Sequence, residues 1–167
     1  MSMQTDVLSA HVNITSLLVN GRTRVKGLVV TGSGSAGYFY LWDSVIAPVS
    51  ATYARDSAGL ITVTQSAHGL SSGQVAGLVF AAGTGGQATT GNYIVTVLTS
   101  STYTVQDINV GAITAGAAAL KNSRWLTSID MSANASVALP LPGEGILAIN
   151  GLYATISNLT GLTVFYG

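Results

Sequence analysis

The chain has 167 residues, of which six are basic and six acidic, so its formal net charge is zero. Charged residues make up only 7% of the chain, against about 25% in an ordinary soluble domain, while hydrophobic residues make up 48%. This composition provides no basic footprint for nucleic acid and no polybasic cluster for an anionic membrane, and it indicates a surface covered by copies of the chain or by a partner.

Short apolar stretches with period-two alternation recur along the chain and are separated by Gly, Asn and Ser, which predicts strands. The predicted strands are 7–19, 23–31, 37–42, 60–65, 75–80, 92–98, 101–106, 124–129, 136–139, 145–149, 151–157 and 162–166. Only 115–121 is compatible with a helix, and it contains Gly116. The predicted fold class is therefore all-β, with a sandwich or jelly-roll-like domain.

Three cations lie close together near the start of the chain. Arg22, Arg24 and Lys26 alternate with Thr23 and Val25, so they are predicted to share one face of a strand. One interpretation is a solvated face that protects a sheet edge from unwanted pairing. The other is a docking stripe for an acidic surface on a partner.

Residues 32–37 read GSGSAG, which matches the G-x-G-x-x-G pattern of dinucleotide-binding turns. In such turns the pyrophosphate binds at the N terminus of a following helix. Here the following residues, 38–42, read YFYLW and favour a strand. We therefore predict a hairpin turn and expect no cofactor.

An aromatic row follows this turn. Tyr38, Tyr40 and Trp42 alternate with Phe39 and Leu41, so they are predicted to lie on one face of a strand. Either they belong to a core, or they form a candidate surface platform on which a sugar ring stacks.

The chemistry-bearing residues are sparse. Cysteine is absent, and only His11 and His68 could supply imidazole ligands, so neither a zinc nor another metal site is expected. His68 is predicted to be a turn residue whose ring bonds nearby backbone. The six acidic residues show no D-x-D spacing, and we predict no catalytic residue and no enzymatic activity.

The middle of the chain differs in composition from its ends. Residues 51–121 are rich in Ala, Gly, Thr and Ser, and one tryptophan lies on each side of this segment. We predict a discontinuous β-sandwich domain of 1–50 and 122–167, with a small β-module of 51–121 inserted through one of its loops.

The middle segment carries ITVT at 61–64, AHGL at 67–70, SGQV at 72–75, GNYIVTV at 91–97 and TYTV at 102–105. In these stretches it resembles a small β-module of phage tail and virion proteins, which is itself similar to the first catalytic-cysteine half-domain of ubiquitin-activating enzymes. The resemblance implies a spacer or interaction domain without an activity of its own.

The flanks carry GRTRVKG at 21–27, PGEGIL at 142–147 and NLTGLTVFYG at 158–167. These stretches resemble small virion structural proteins, of the capsid decoration type, from cyanophage-like viruses. The insert at 51–121 departs from that pattern, because the shorter proteins have a simple loop there.

Together these features predict a phage virion structural protein, assembled in the host cytoplasm. The leading hypothesis is a capsid decoration (cement) protein that forms a homo-oligomer, for example a trimer, and docks on the major capsid protein or other virion proteins. Its candidate capsid-docking residues are Arg22, Arg24 and Lys26. Two alternatives stay open at this point. One is a tail fibre, spike or adaptor subunit that contacts the host surface, and the other is a carbohydrate-binding module. Neither nucleic acid nor a membrane is an expected partner.

Overall fold

The computed structural model describes residues 7–167 and confirms the all-β class, since every regular element in that range is a strand. The strands, in chain order, are β1 (Leu8–Val12), β2 (Ser16–Asn20), β3 (Thr23–Gly32), β4 (Gly37–Asp43), β5 (Val49–Arg55), β6 (Leu60–Thr64), β7 (Val75–Phe80), β8 (Gly91–Ile94), β9 (Thr96–Val97), β10 (Thr102–Gln106), β11 (Ile113–Asn122), β12 (Trp125–Met131), β13 (Ser136–Pro140), β14 (Ile146–Ala148), β15 (Gly151–Ser157) and β16 (Leu159–Tyr166). The chain divides into two compact units, unit 1 (1–47 and 126–167) and unit 2 (48–125).

Unit 1 is built from two antiparallel sheets. One has the order β1-β16-β3-β13, with β14 also paired to β3, and the other has the order β12-β4-β15-β2. Buried side chains from both sheets form one core, which makes this unit a β-sandwich. Its largest fully buried aliphatic and aromatic members are Val25, Leu28, Phe39, Leu41, Leu152 and Leu162.

Unit 2 is one seven-stranded sheet with the order β8-β7-β11-β5-β6-β10-β9. Its two end strands, β8 and β9, are separated in the chain only by Val95, so the sheet curls until it nearly closes. Val95 links the two end strands along the chain and also extends the β7–β8 ladder, because its N–H donates to the Gln74 carbonyl and its own carbonyl accepts the Gly73 N–H, each at 2.9 Å. The inside is filled mainly by Tyr53, Ile61, Leu78, Phe80 and Tyr103.

Two strands, β5 and β11, were not predicted from the sequence. The helix-compatible stretch 115–121 lies within β11, which pairs with β5 on one side and β7 on the other. Those two ladders satisfy its backbone groups and override the helix propensity of its alanines. Gly116, at φ +92°, lies in the register shift between Ile113 and Ala117, where an L side chain would be strained. The strand partner β5 was not predicted either, although its residues alternate between apolar and polar from Val49 to Tyr53.

The predicted hairpin at 32–37 is wrong in one respect, because β3 and β4 belong to different sheets. The turn crosses from one sheet of the sandwich to the other, beside the β15–β16 connection, which makes the same crossing. The Ser33 N–H donates to the Asn158 carbonyl (3.3 Å), and the Asn158 amide donates to the Ala36 carbonyl (3.1 Å). A Cβ atom on Gly37 would collide with the carbonyls of Ser157 and Asn158. This glycine therefore serves a close backbone approach.

Candidate docking surface

The cationic stripe (Arg22, Arg24 and Lys26) lies on the side of unit 1 that faces away from its core. Thr23 and Val25 of β3 are buried, so the alternating Arg24 and Lys26 point outward and are partly exposed. Arg22 directly precedes β3 and is exposed. The strand therefore displays Arg24 and Lys26 on one face, with Arg22 at its start.

Two members of the stripe are already engaged by Glu144. The Arg24 Nε lies 3.5 Å from a Glu144 carboxylate oxygen, and the Lys26 ammonium donates to the Glu144 carbonyl at 3.2 Å. The Glu144 side chain is 82% exposed, so solvent limits this ion pair to about 0–1 kcal/mol. The sequence could not reveal the pairing, because 120 residues separate Arg24 from Glu144.

The turn that carries Glu144 is held against β3 by glycine. Gly145 has φ +73°, and a Cβ atom there would collide with the carbonyl of Val25. Gly143 has φ +62°, which also favours glycine. The PGEG sequence at 142–145 is therefore the signal that could have indicated a tight turn packed on a neighbouring strand.

An apolar groove of about 350 Å³ runs beside the stripe on unit 1. It adjoins a register irregularity, because Phe165 pairs with Gly27 while the next residue, Tyr166, pairs with Val25 and leaves Lys26 as an extra residue. Its lining consists of Val7, Lys26, Gly27, Leu28, Val29, Ala138, Leu139, Pro140 and Phe165. Lys26 is the only charged residue among them, and no sequence feature indicated this groove.

The aromatic row is partly stacked and partly buried. The rings of Tyr38 and Tyr40 stack with their centroids 4.6 Å apart, and Trp42 meets Tyr40 edge-on at 6.4 Å. Trp42 is fully buried, and its indole N–H donates to the Thr155 hydroxyl at 3.0 Å. Burial raises the pKa of Tyr40 to about 12, with smaller contributions from Tyr38 and Asp130. Only the two tyrosines keep exposed ring surface.

Unit 2 contains a buried ion pair that was not recognised from the sequence. The Arg55 Nη1 lies 2.6 Å from the Asp107 Oδ2, and both side chains are almost fully buried. Arg55 also donates to the carbonyls of Val110 and Gly111, at 3.2 and 2.8 Å. The Asp107 Oδ1 accepts the N–H of Asn109 at 3.2 Å. The pair therefore fixes the backbone of the 107–111 loop at several points.

This loop displays apolar side chains. Ile108 is 86% exposed and Val110 is 70% exposed, although the backbone beneath them is held by Arg55 and Asp107. A fixed backbone reduces the entropy lost when such side chains are covered by a partner. This arrangement could not be predicted from neighbouring residues, because Arg55 and Asp107 are 52 residues apart in the chain.

His68 bonds backbone within unit 2. Its Nδ1 accepts the N–H of Leu70 at 3.0 Å, which leaves the ring proton on Nε2 to be donated to the Thr99 carbonyl at 2.8 Å. Its ring meets Tyr103 edge-on, with centroids 5.1 Å apart. The histidine therefore ties the 65–70 turn to the 98–102 turn.

Two further aspartates, Asp43 and Asp56, support turns. The Asp43 Oδ1 accepts the N–H groups of Ile149 and Asn150, and the Asp56 Oδ1 accepts those of Ala58 and Leu60. Within residues 7–167, His, Asp and Glu nowhere form a group of three that could hold a metal ion. The same range contains no helix long and apolar enough to cross a bilayer.

Comparisons with known protein families, with curated proteins and with solved structures found no match to this chain.

Proposed function

We propose that this chain is a non-enzymatic structural protein of a phage virion, and that it acts as a decoration protein on the outside of the capsid. Copies would associate through β-edges and apolar surface, and one face would dock on the major capsid protein. By bridging neighbouring capsomers, such a protein stabilises the shell against internal pressure. The virion, assembled in the host cytoplasm, would be its location.

The surface of the chain carries this proposal. At least seventeen large aliphatic side chains of the described part of the chain are exposed, whereas the whole chain has six basic and six acidic residues. Many exposed apolar side chains combined with so little charge favour association over a free monomer. In a protein that functions as part of an assembly, these exposed apolar side chains are covered by neighbouring subunits.

The cationic stripe provides the face that would contact the capsid. Its three members are half of the six basic residues in the chain, and Arg22 is exposed at its start. An acidic patch on the shell would attract it, and the attraction would weaken with rising salt.

Binding to particles that lack the protein tests the proposal. Purified chain is mixed with such particles and co-sedimented, and heat release of packaged DNA is measured with and without the chain. We expect saturable binding and a higher release temperature. If the chain stays in the supernatant at all concentrations, the decoration role is wrong.

The 107–111 loop favours a second candidate, a tail adaptor or spike subunit. Ile108 and Val110 are presented on a backbone that a buried ion pair holds in place, which suits recognition of an apolar site on a host surface. Copy number separates the two roles. A decoration protein is present at a level comparable with the major capsid protein, whereas a tail subunit is present in a few copies.

A further inference from the structure

Strand β13 forms one edge of the first sheet of unit 1, and its hydrogen-bonding groups can be assigned by direction. The Leu141 N–H donates to the Lys26 carbonyl (2.9 Å), and the Gly32 N–H donates to the Ala135 carbonyl (2.7 Å). In a strand the direction of the backbone N–H and C=O groups alternates from residue to residue. The backbone groups of the odd-numbered residues of 135–141 therefore point toward β3. The even-numbered ones, Ser136, Ala138 and Pro140, direct theirs away from the sheet.

Among the described residues, 7–167, nothing protects this edge along most of its length. All five residues of β13 are exposed, and no charged residue occurs between Met131 and Gly143. Edge strands are usually guarded by charge, by proline or by a covering element. In the part of the chain that the structure describes, the one such guard is Pro140, which lacks an N–H at the end of the strand.

We propose that β13 pairs with β13 of a second copy of this chain, antiparallel, about a twofold axis at Ala138. In that register Ala138 exchanges both backbone hydrogen bonds with Ala138 of the other copy. The Ser136 N–H donates to the Pro140 carbonyl of the other copy, and the symmetric bond forms as well. Four hydrogen bonds result, and Pro140, which has no N–H to give, lies at each end.

The same axis also matches the side chains. Val137 and Leu139 are 37% and 38% exposed, and they lie on the same face of β13. The twofold register places Val137 of each copy opposite Leu139 of the other, which gives two equivalent pairs. In each pair the two aliphatic side chains cover one another. One axis thus satisfies the outward donors and the half-exposed apolar residues together.

Charge and size favour a second copy over a foreign strand. An uncharged edge meets its own uncharged copy without burying a charge, and the symmetric register is the one that places both donorless prolines at the ends. Five residues bury much less than the roughly 800 Å² per partner of a standard interface, so the pair is weak in dilute solution. The inference rests on the proposed function in one respect, because docking on a shell would supply the high local concentration.

Charges placed on the axis test the register. In Ala138→Glu and Ala138→Arg, two like charges face each other across the twofold, and each variant alone should dissociate at least about tenfold more readily than the wild type. An equimolar mixture of the two should associate again, because opposite charges then face each other. The measurement is sedimentation equilibrium over a concentration series, and recovery in the mixture shows that both variants are folded.

Ser9→Arg is the matched control. Ser9 is exposed on β1, the opposite edge of the same sheet. Its replacement by arginine should therefore leave association unchanged. The proposal is overturned if the wild type is monomeric at every concentration, if the Ala138 variants associate as the wild type does, or if Ser9→Arg is the variant that dissociates. Particle binding is measured separately. A chain that binds particles but does not self-associate would overturn this pairing alone, and a chain that self-associates without binding would overturn only the decoration role.

Discussion

Arg55 and Asp107 form a charge-assisted hydrogen bond of 2.6 Å between side chains that are 5% and 0% exposed. Asp107 also accepts the backbone N–H groups of Thr89 and Asn109. Buried pairs of this kind add little net stability over an apolar replacement, but removing one partner leaves the other charge uncompensated. The pair therefore acts as a clamp that organises the loop at 107–111.

Asp107→Asn should destabilise unit 2 by about 3–5 kcal/mol, because the Arg55 guanidinium would remain buried without its counter-charge. Urea unfolding followed by circular dichroism measures the loss. Asp130→Asn makes the same chemical change at an exposed residue of β12 and should cost less than about 0.5 kcal/mol. Equal losses in the two variants would contradict the clamp.

Acid should weaken unit 2 through the same carboxylate. Burial raises the pKa of Asp107, but hydrogen bonds from Thr89, Arg55 and Asn109 outweigh it and hold the pKa below its ordinary value. A lowered folded-state pKa contributes stability that is present above the unfolded-state pKa and is lost as pH falls through the folded one. The urea concentration at the unfolding midpoint should therefore decrease as the pH is lowered below about 4. The decrease should be smaller in Asp107→Asn. A midpoint independent of pH in the wild type would contradict this.

Most strands could be predicted from period-two alternation, as in β6 and β10, because alternation follows directly from one buried and one exposed face. Strand β11 could not, since its alanine run carries no such contrast and its pairing partners are distant in the chain. The change of sheet at 32–37, between β3 and β4, also could not be predicted from the sequence. A glycine turn shows that the chain bends, but not which sheet the next strand joins.

His68→Ala should destabilise unit 2, because the Leu70 N–H and the Thr99 carbonyl would both lose their partner. Each unsatisfied buried group costs about 1–3 kcal/mol. His11→Ala is the control, since His11 is exposed and its ring bonds the Thr163 hydroxyl, which water can replace. Thermal unfolding of the two variants provides the measurement. A larger loss at His11 than at His68 would overturn this assignment.

Trp42→Ala should cost about 3–5 kcal/mol of stability, because the indole is fully buried and its removal leaves a cavity. Tyr38→Ala, at the partly exposed end of the aromatic row, should cost clearly less. Denaturant unfolding compares the two. A Trp42→Ala protein as stable as the wild type would contradict the burial of the indole. Because Trp42→Ala is expected to destabilise the fold, a sugar-binding role is tested on a glycan array with Tyr38→Ala instead.

The candidate site was only partly visible in the sequence. The alternation of Arg22, Arg24 and Lys26 indicated a shared face, and the strand orients Arg24 and Lys26 in that way. The partner Glu144, the groove beside Lys26 and the free edge of β13 depend on strand order and register. These are long-range properties, which a pattern of neighbouring residues does not encode.

Charge changes on the stripe should alter particle binding in opposite directions. Arg22→Glu removes an exposed cation and should weaken binding, whereas Glu144→Gln releases Arg24 from its ion pair and should strengthen it. Both effects should shrink at high salt. Co-sedimentation at two salt concentrations measures them, with Lys121→Gln in unit 2 as a control. Weakening by both variants would show that the stripe is not the docking face.

A cryo-electron microscopy map of the virus particle tests the central claim most directly. The account predicts density for both β-units on the outer surface of the head, repeated at the junctions between capsomers, with the cationic stripe facing the shell. Density for this chain confined to the tail, or a particle in which the chain is absent, would contradict it.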